Sequence, residues 1–194
     1  MGGSVTRIVI AEDEAIIRLD LKETLVAEGY EVVGEAADGD EAVQLVRQLE
    51  PDVAILDIKM PGVDGLTAAR QILADRLAAV VILTAFSTRD LIEQARDAGV
   101  MAYVVKPFQR NDLVPAVELA IARFRDLEVA TSRAADLGEQ LESRKLVDRA
   151  KGRLMDRHGL SEQEAFRFLQ TTAMARRSAM RAVAEGVMDG SVSP

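Results

Sequence analysis

The sequence has no cysteine, which excludes disulfides and thiolate metal sites and leaves a cytoplasmic address as the default expectation. No run approaches the roughly 20 consecutive apolar residues a membrane-spanning helix needs, so no membrane partner is expected. Met1 to Arg7 lacks the apolar centre of a signal peptide and leads straight into a strand pattern. Histidine is nearly missing too: His158 stands alone, and beside Gly159 it reads as a helix end, not as a ligand or phosphoryl carrier. Positive charge is in deficit, with 24 Lys/Arg against 32 Asp/Glu and a net charge of -8. That balance argues against whole-surface affinity for nucleic acid. The deficit is uneven. Ten basic and eight acidic residues lie from Glu139 to Pro194, which leaves 14 basic and 24 acidic before them. An acidic part and a part able to present a basic face are implied.

The first ~120 residues alternate short Val/Ile-rich runs with amphipathic stretches, the pattern of a parallel α/β sheet. The predicted strands are Thr6–Ala11, Glu31–Ala36, Val53–Leu56, Val80–Leu83 and Met101–Val105. The predicted helices are Ala15–Glu28, Asp40–Leu49, Leu66–Ala74, Thr88–Ala98 and one beginning near Asp112, with Gly29 and Gly99 as helix stops. Five such repeats make one five-stranded, doubly wound parallel sheet.

After Pro115, which a helix tolerates in its first turn, proline is absent until Pro194. Leu113 to Leu146 reads as one long helix or two in sequence. Leu113, Val117, Ala120, Phe124 and Leu127 keep a 4-3 heptad spacing that then meets Thr131 and Gly138. A short dimerising coiled coil and a plain helical linker both fit. The last ~50 residues read as three short helices, the first ending at His158-Gly159. Ser161 to Glu164 fits a capping box for the second, whose apolar stripe would be Ala165, Phe166, Leu169, Ala173 and Met174. Ser178 would cap the third, which carries Ala182, Val183 and Met188.

Ligands of an open parallel sheet bind beyond the carboxyl ends of its strands. Glu12 and Asp13 follow the first strand, Asp57 the third and Lys106 the fifth, while Thr84 ends the fourth. Carboxylates gathered so closely repel one another, and a hard divalent cation such as Mg²⁺ relieves that repulsion. The spacing Glu12-Asp13, Asp57, Thr84, Lys106-Pro107, with the runs Asp57 to Gly62, Asp64-Gly65 and Tyr103 to Phe108, resembles the receiver domain of bacterial response regulators over residues 5–125. The resemblance implies that Asp57 is the phosphoacceptor, phosphorylated by a sensor histidine kinase. It implies Mg²⁺ held by Asp13, Asp57 and the backbone carbonyl of Lys59, with Glu12 acting through water or directly. It further implies that Lys106 neutralises phosphoryl charge and that Thr84 binds a phosphoryl oxygen. Tyr103 would change rotamer as Thr84 moves, and Lys106-Pro107 would be a cis peptide.

Lys145, Arg149, Arg153 and Arg157 recur every four residues as a basic stripe, widened by Arg144 and Lys151, opposite Val147, Ala150 and Leu154. A charged stripe is more often a solvated face than a binding surface. The run Ala150-Lys151-Gly152-Arg153-Leu154-Met155, then Gly159 to Glu162, Glu164-Ala165-Phe166, Leu169, Ala173-Met174 and Val183-Ala184, resembles the ANTAR domain over residues 140–190. That resemblance implies a three-helix RNA-binding module that recognises paired RNA hairpins in nascent transcripts and promotes transcription antitermination. Lys145, Arg149, Lys151, Gly152, Arg153 and Arg157 are the candidate RNA contacts, with Gly152 letting a backbone approach. Phe166 and Phe168 read as packing residues, so no aromatic interleaves with the stripe.

The expected architecture is a receiver over 1–124, a helical linker over 125–140 and a small all-α domain over 141–194. The chain would not be an enzyme beyond catalysing its own phosphoryl transfer and dephosphorylation. It would dimerise on phosphorylation and act in two-component signal transduction. The competing reading is a C-terminal module that binds protein instead of RNA. A DNA-binding helix-turn-helix fits poorly, because Phe166 to Met180 does not resolve into a turn and recognition helix.

Overall fold

The computed structural model describes residues 5–85 and 89–194. Five strands, β1 (Arg7–Ala11), β2 (Glu31–Ala36), β3 (Val53–Asp57), β4 (Ala79–Thr84) and β5 (Ala102–Val105), form one sheet in the order β2-β1-β3-β4-β5. Every neighbouring pair is parallel, with Ile10 opposite Ile55, Leu56 opposite Ile82 and Ile82 opposite Tyr103. The helices between them are α1 (Ala15–Ala27), α2 (Gly39–Leu49), α3 (Gly65–Ala74) and α4 (Arg89–Asp97). This is the doubly wound fold expected from the alternation of apolar runs. The expected start of α4 at Thr88 lies outside the described residues.

Period two decides which face each strand residue serves. Ile8, Ile10, Val53 and Ile55 pack with Leu21 and Leu25 of α1 and Leu113 and Val117 beyond β5. Val9, Ala11, Ala54 and Leu56 pack on the other face with Ala42 and Val46 of α2 and Ala69 and Ile72 of α3. Both faces are therefore apolar, which explains runs such as Val53 to Leu56 without polar alternation. Truncating one of these fully buried side chains, Ile55→Ala for example, would cost about 2–5 kcal/mol.

The ends of the helices follow local chemistry. Asp38 caps α2 by accepting from the Glu41 N–H, and Asp64 caps α3 by accepting from the Thr67 N–H, each at 2.8 Å. Gly29 (φ +85°) and Gly99 (φ +81°) take the left-handed turn after α1 and α4.

Helix α5 runs without a break from Arg110 to His158, 49 residues. The expected first short helix of the C-terminal part is thus its last stretch. Gly138 does not interrupt it, because one interior glycine costs only about 1 kcal/mol among good helix formers. Pro115 lies past the first turn, because the helix opens before Asp112, and exposure of Asn111 and Pro115 lets water satisfy the carbonyl that loses its donor.

The chain divides into two units, Met1–Glu128 and Val129–Pro194. In the second, the end of α5 packs with α6 (Glu162–Arg176) and α7 (Met180–Asp189). Its core is Ala150 and Leu154 of α5, Ala165, Leu169 and Ala173 of α6, and Val183, Ala184 and Val187 of α7, closed by Val192. Ser161 and Glu164 form the full capping box that the sequence foreshadows. Two expectations fail here. Phe166 and Met174 are 43% and 72% exposed, because the buried stripe keeps strict i, i+4 spacing through Ala165, Leu169 and Ala173. Ala179, without a side-chain cap, occupies the N-cap of α7, while the Ser178 N–H is used in closing α6 on the Ala173 carbonyl.

Candidate functional site

Because all five strands are parallel, their carboxyl ends share one edge of the sheet, and the order reverses between β1 and β3. Glu12 and Asp13 follow β1, Asp57 ends β3, Thr84 ends β4 and Lys106 follows β5. Among the described residues, the buried polar or charged side chains are Glu12, Asp57 and Thr84. A buried carboxylate is costly unless paired, so this concentration marks a site and not a packing accident. The Lys106 ammonium donates to Glu12 and lies 3.1 Å from Asp57 Oδ1. Its backbone N–H donates to the Thr84 carbonyl at 2.8 Å, which ties the end of β5 to that of β4. The Lys106-Pro107 bond is cis.

Carboxylate oxygens of Glu12, Asp13 and Asp57 all lie within 4.8 Å of one another. Burial pushes the Glu12 and Asp57 carboxyls above the usual range, although Lys106 pulls both down. Burial lowers the Lys106 ammonium, but its hydrogen bond to Glu12 and the charge of Asp57 outweigh that and hold it above an ordinary lysine. Three carboxylates facing one ammonium leave two uncompensated negative charges. An all-oxygen donor set with that excess fits a hard divalent cation such as Mg²⁺. A cavity of about 520 Å³ opens over the cluster, lined by Asp13, Asp57, Lys59, Thr84, Lys106 and Phe108.

Tyr103 stands apart from this cluster. It lies on β5, 47% exposed, and borders a cavity of about 460 Å³ with Leu119 and Arg123.

The basic stripe of the second unit is less uniform than its spacing suggests. Lys145 pairs with Glu142 at 2.8 Å. Lys151 is held between Asp148 at 2.9 Å and Glu162 at 2.8 Å, and those hydrogen bonds raise its pKa. Arg153 is half-buried and donates to the Met188 carbonyl at 2.8 Å, near the end of α7. Arg149 and Arg157 are exposed and form no ion pair among the described residues. A β-carbon added at Gly152 would meet nothing within 4 Å, so helix packing does not account for this glycine.

Residues 8–118 match the response regulator receiver domain, and residues 135–188 match the ANTAR domain. The transcriptional regulatory protein PdtaR of Mycobacterium tuberculosis is 56% identical over 183 residues, which cover 94% of this chain and 89% of that protein. This chain is a response regulator of the ANTAR type. Its receiver domain is similar to that of a modulated diguanylate cyclase from Desulfovibrio desulfuricans (TM-score 0.59, 27% identity, 63% of this chain and 98% of the other). It is also similar to CheY in the CheX-CheY-BeF3-Mg²⁺ complex from Borrelia burgdorferi (TM-score 0.55, 28% identity, 58% and 86%). No described helix of the regulator is long and apolar enough to cross a membrane.

Sequence reasoning did not give roles to three residues that shape the receiver's acidic edge. Arg18 of α1 donates to the Glu12 carbonyl and also approaches Glu35 at 3.8 Å. Gly65 opens α3 directly against the carbonyl of Asp57, and Gly39 opens α2 against the carbonyl of Val63. A glycine directly after an N-cap aspartate, as in Asp38-Gly39 and Asp64-Gly65, was the available signal.

Proposed function

We propose that this response regulator is phosphorylated on Asp57 by a sensor histidine kinase and then binds RNA hairpins through its ANTAR domain to promote transcription antitermination. The observation that carries the reading is the buried Glu12-Asp57-Lys106 contact beside Asp13 at the edge where the strand order reverses. Glu12, Asp13, Asp57 and the Lys59 backbone carbonyl would hold Mg²⁺. Bound there, the ion would neutralise charge on the transferring phosphoryl group.

An Asp57 carboxylate oxygen attacks phosphorus, the bond to the donor's leaving atom breaks, and an acyl phosphate forms. No general base is needed, since the carboxylate is already ionised. Lys106 stabilises the spread negative charge of the transfer, which is mostly an electrostatic and positioning task. The Thr84 hydroxyl donates to a phosphoryl oxygen, and Tyr103 on the neighbouring strand responds by reorienting. The same groups serve hydrolysis of the acyl phosphate, so the chemistry is confined to the protein's own side chain.

In the ANTAR domain, Arg149 and Arg157 are the readiest phosphate contacts, and Lys145, Lys151 and Arg153 exchange their present partners for RNA. Gly152 leaves room for a nucleic-acid backbone. Dimerisation on phosphorylation through the β5 face or α5 belongs to this proposal. Leu137 and Leu141 on α5 are 66% and 54% exposed, which favours a helix partner. A cytoplasmic location follows from a role on nascent transcripts.

Acetyl phosphate should label the protein and fail to label the Asp57→Asn variant; labelling of the variant would overturn the receiver assignment. Gel shifts with hairpin RNA and duplex DNA, with and without phosphorylation, test the output. Hairpin binding that survives charge reversal at Lys145, Arg149 and Arg153 would count against the RNA surface. Sedimentation with and without a phosphoryl mimic tests dimerisation, and an unchanged mass would sink it.

A further inference from the structure

Phe166 is an aromatic residue of the ANTAR domain that core packing does not fully account for. Its neighbours Ala165 and Leu169 are fully buried, while Phe166 is 43% exposed. Phe168, the other aromatic of α6, packs against the core instead. The ring of Phe166 borders a cavity of about 490 Å³ with Val147 and Met180 as further apolar wall. The polar rim of that cavity comes from Gln140, Ser143, Arg144, Asp148 and Lys151, all on α5.

This juxtaposition supplies what the basic stripe lacks along the chain. Folding brings an aromatic face from α6 beside two cations of α5. Lys151 lies 2.9 Å from Asp148 and 2.8 Å from Glu162 in the absence of RNA, two contacts for three N–H donors. Arg144 forms no close ion pair among the described residues, so its guanidinium is available to an anion. Gln140 and Ser143 add an amide and a hydroxyl, each able to donate and accept. A ligand suited to these walls offers a flat apolar face, an edge with hydrogen-bonding groups and a negative charge a few ångströms away. An unpaired nucleotide has all three, and stacking on an aromatic with cations tracking the backbone is how single strands are held.

We propose that this cavity receives one unpaired nucleobase of an RNA loop, stacked on Phe166 with its backbone phosphate against Arg144. The inference rests on the RNA-binding reading above and adds a base contact to it. Phe166 is then a specificity residue, which separates looped from fully paired RNA.

The chain contains no tryptophan, so the Phe166→Trp variant carries a single fluorescent reporter at the cavity. The full chain, with Mg²⁺ and beryllofluoride, is titrated with a hairpin whose loop is adenine-rich. A second titration uses the same stem closed by abasic ribose-phosphate units. Saturable quenching by the first hairpin and little by the second is expected. In gel shifts, which need no tryptophan, Phe166→Leu, which keeps an apolar side chain on the helix, should bind the adenine loop about tenfold more weakly than the parent. Its affinity for the abasic hairpin and its thermal midpoint should stay those of the parent. Equal quenching by both hairpins, or unweakened binding by Phe166→Leu, overturns the cavity while leaving RNA binding intact. Failure of the parent chain to bind either hairpin overturns both readings. Quenching that follows protein concentration without RNA assigns the cavity to a protein contact and also overturns the proposal.

Discussion

Gly65 lies so close to Asp57 that a methyl group built on it would stand 1.8 Å from the Asp57 carbonyl oxygen. The Gly65 N–H donates to the Ile58 carbonyl at 3.0 Å, so the first residue of α3 is fastened to the strand end that presents the phosphoacceptor. Gly65→Ala must push α3 away or displace the end of β3. Overpacking of this kind costs about 1–3 kcal/mol. We expect a lower urea midpoint together with slower labelling by acetyl phosphate. A variant that loses stability but labels at the parent rate would show that α3 moves and Asp57 does not.

The raised pKa of Asp57 fixes the sign of a second prediction. A carboxyl whose folded pKa exceeds its unfolded value contributes stability below the unfolded value, and that contribution is lost as pH rises through the folded one. Burial is the main cause here, with Lys106 opposing it. At pH 7 without divalent cations, Asp57→Asn removes a charge that the fold disfavours. The variant should therefore unfold at higher urea than the parent in EDTA, and the gap should close as pH falls into the carboxylate range. Saturating Mg²⁺, at about 100 times its Kd, should stabilise the parent by about 2.7 kcal/mol and the variant much less. A gap that widens toward acid would contradict the assignment of burial as the dominant cause.

The receiver was readable because both of its signals are local. Val9 and Ile10 point to opposite cores by period two alone, and Gly29 and Gly99 stop their helices within their own turn. The acidic edge was legible as well: parallel strands put Asp13, Asp57 and Lys106 at one end whatever their exact bounds. What stayed hidden depends on helix-to-helix placement. Ala165 and Phe166 are adjacent apolar residues, and only the position of α5 and α7 decides that one is buried and the other borders a cavity. Lys151 reads as a free cation until Glu162, eleven residues away, is folded onto it. The continuity of α5 was left open as far as Leu146, since Gly138 lowers helix propensity without forbidding helix, and only its join to the stretch ending at His158 was missed.

Tyr30 and Glu118 make a long-range contact whose pH response is distinct. The Tyr30 hydroxyl donates to Glu118 Oε1 at 2.9 Å across 88 residues. Burial first, then the Glu118 carboxylate, pushes the phenol up to about 12 from its ordinary 10.0. Its contribution is whole below pH 10.0 and is lost as pH rises toward about 12. Tyr30→Phe should therefore be less stable than the parent at neutral pH, and the difference should shrink across that alkaline window. Thermal midpoints of both proteins from pH 8 to pH 12, about the range in which an ordinary tyrosine titrates, provide the check. A constant difference would mean that lost packing, and not the hydrogen bond, sets the effect.

Gly152 offers a case where stability and function should part. It sits inside α5, a β-carbon added there meets nothing within 4 Å, and its φ is not in the left-handed region. Alanine at an open interior helix position gains about 1 kcal/mol over glycine. The Gly152→Ala variant should thus melt a few degrees higher. If the missing side chain instead leaves room for an RNA backbone beside Lys151, the same methyl should weaken hairpin binding severalfold while the fold improves. Paired measurements of thermal midpoint and hairpin affinity on the full chain decide the matter. A more stable variant that binds as well as the parent would remove Gly152 from the RNA surface, and the glycine would then have no structural or functional reason that this fold supplies.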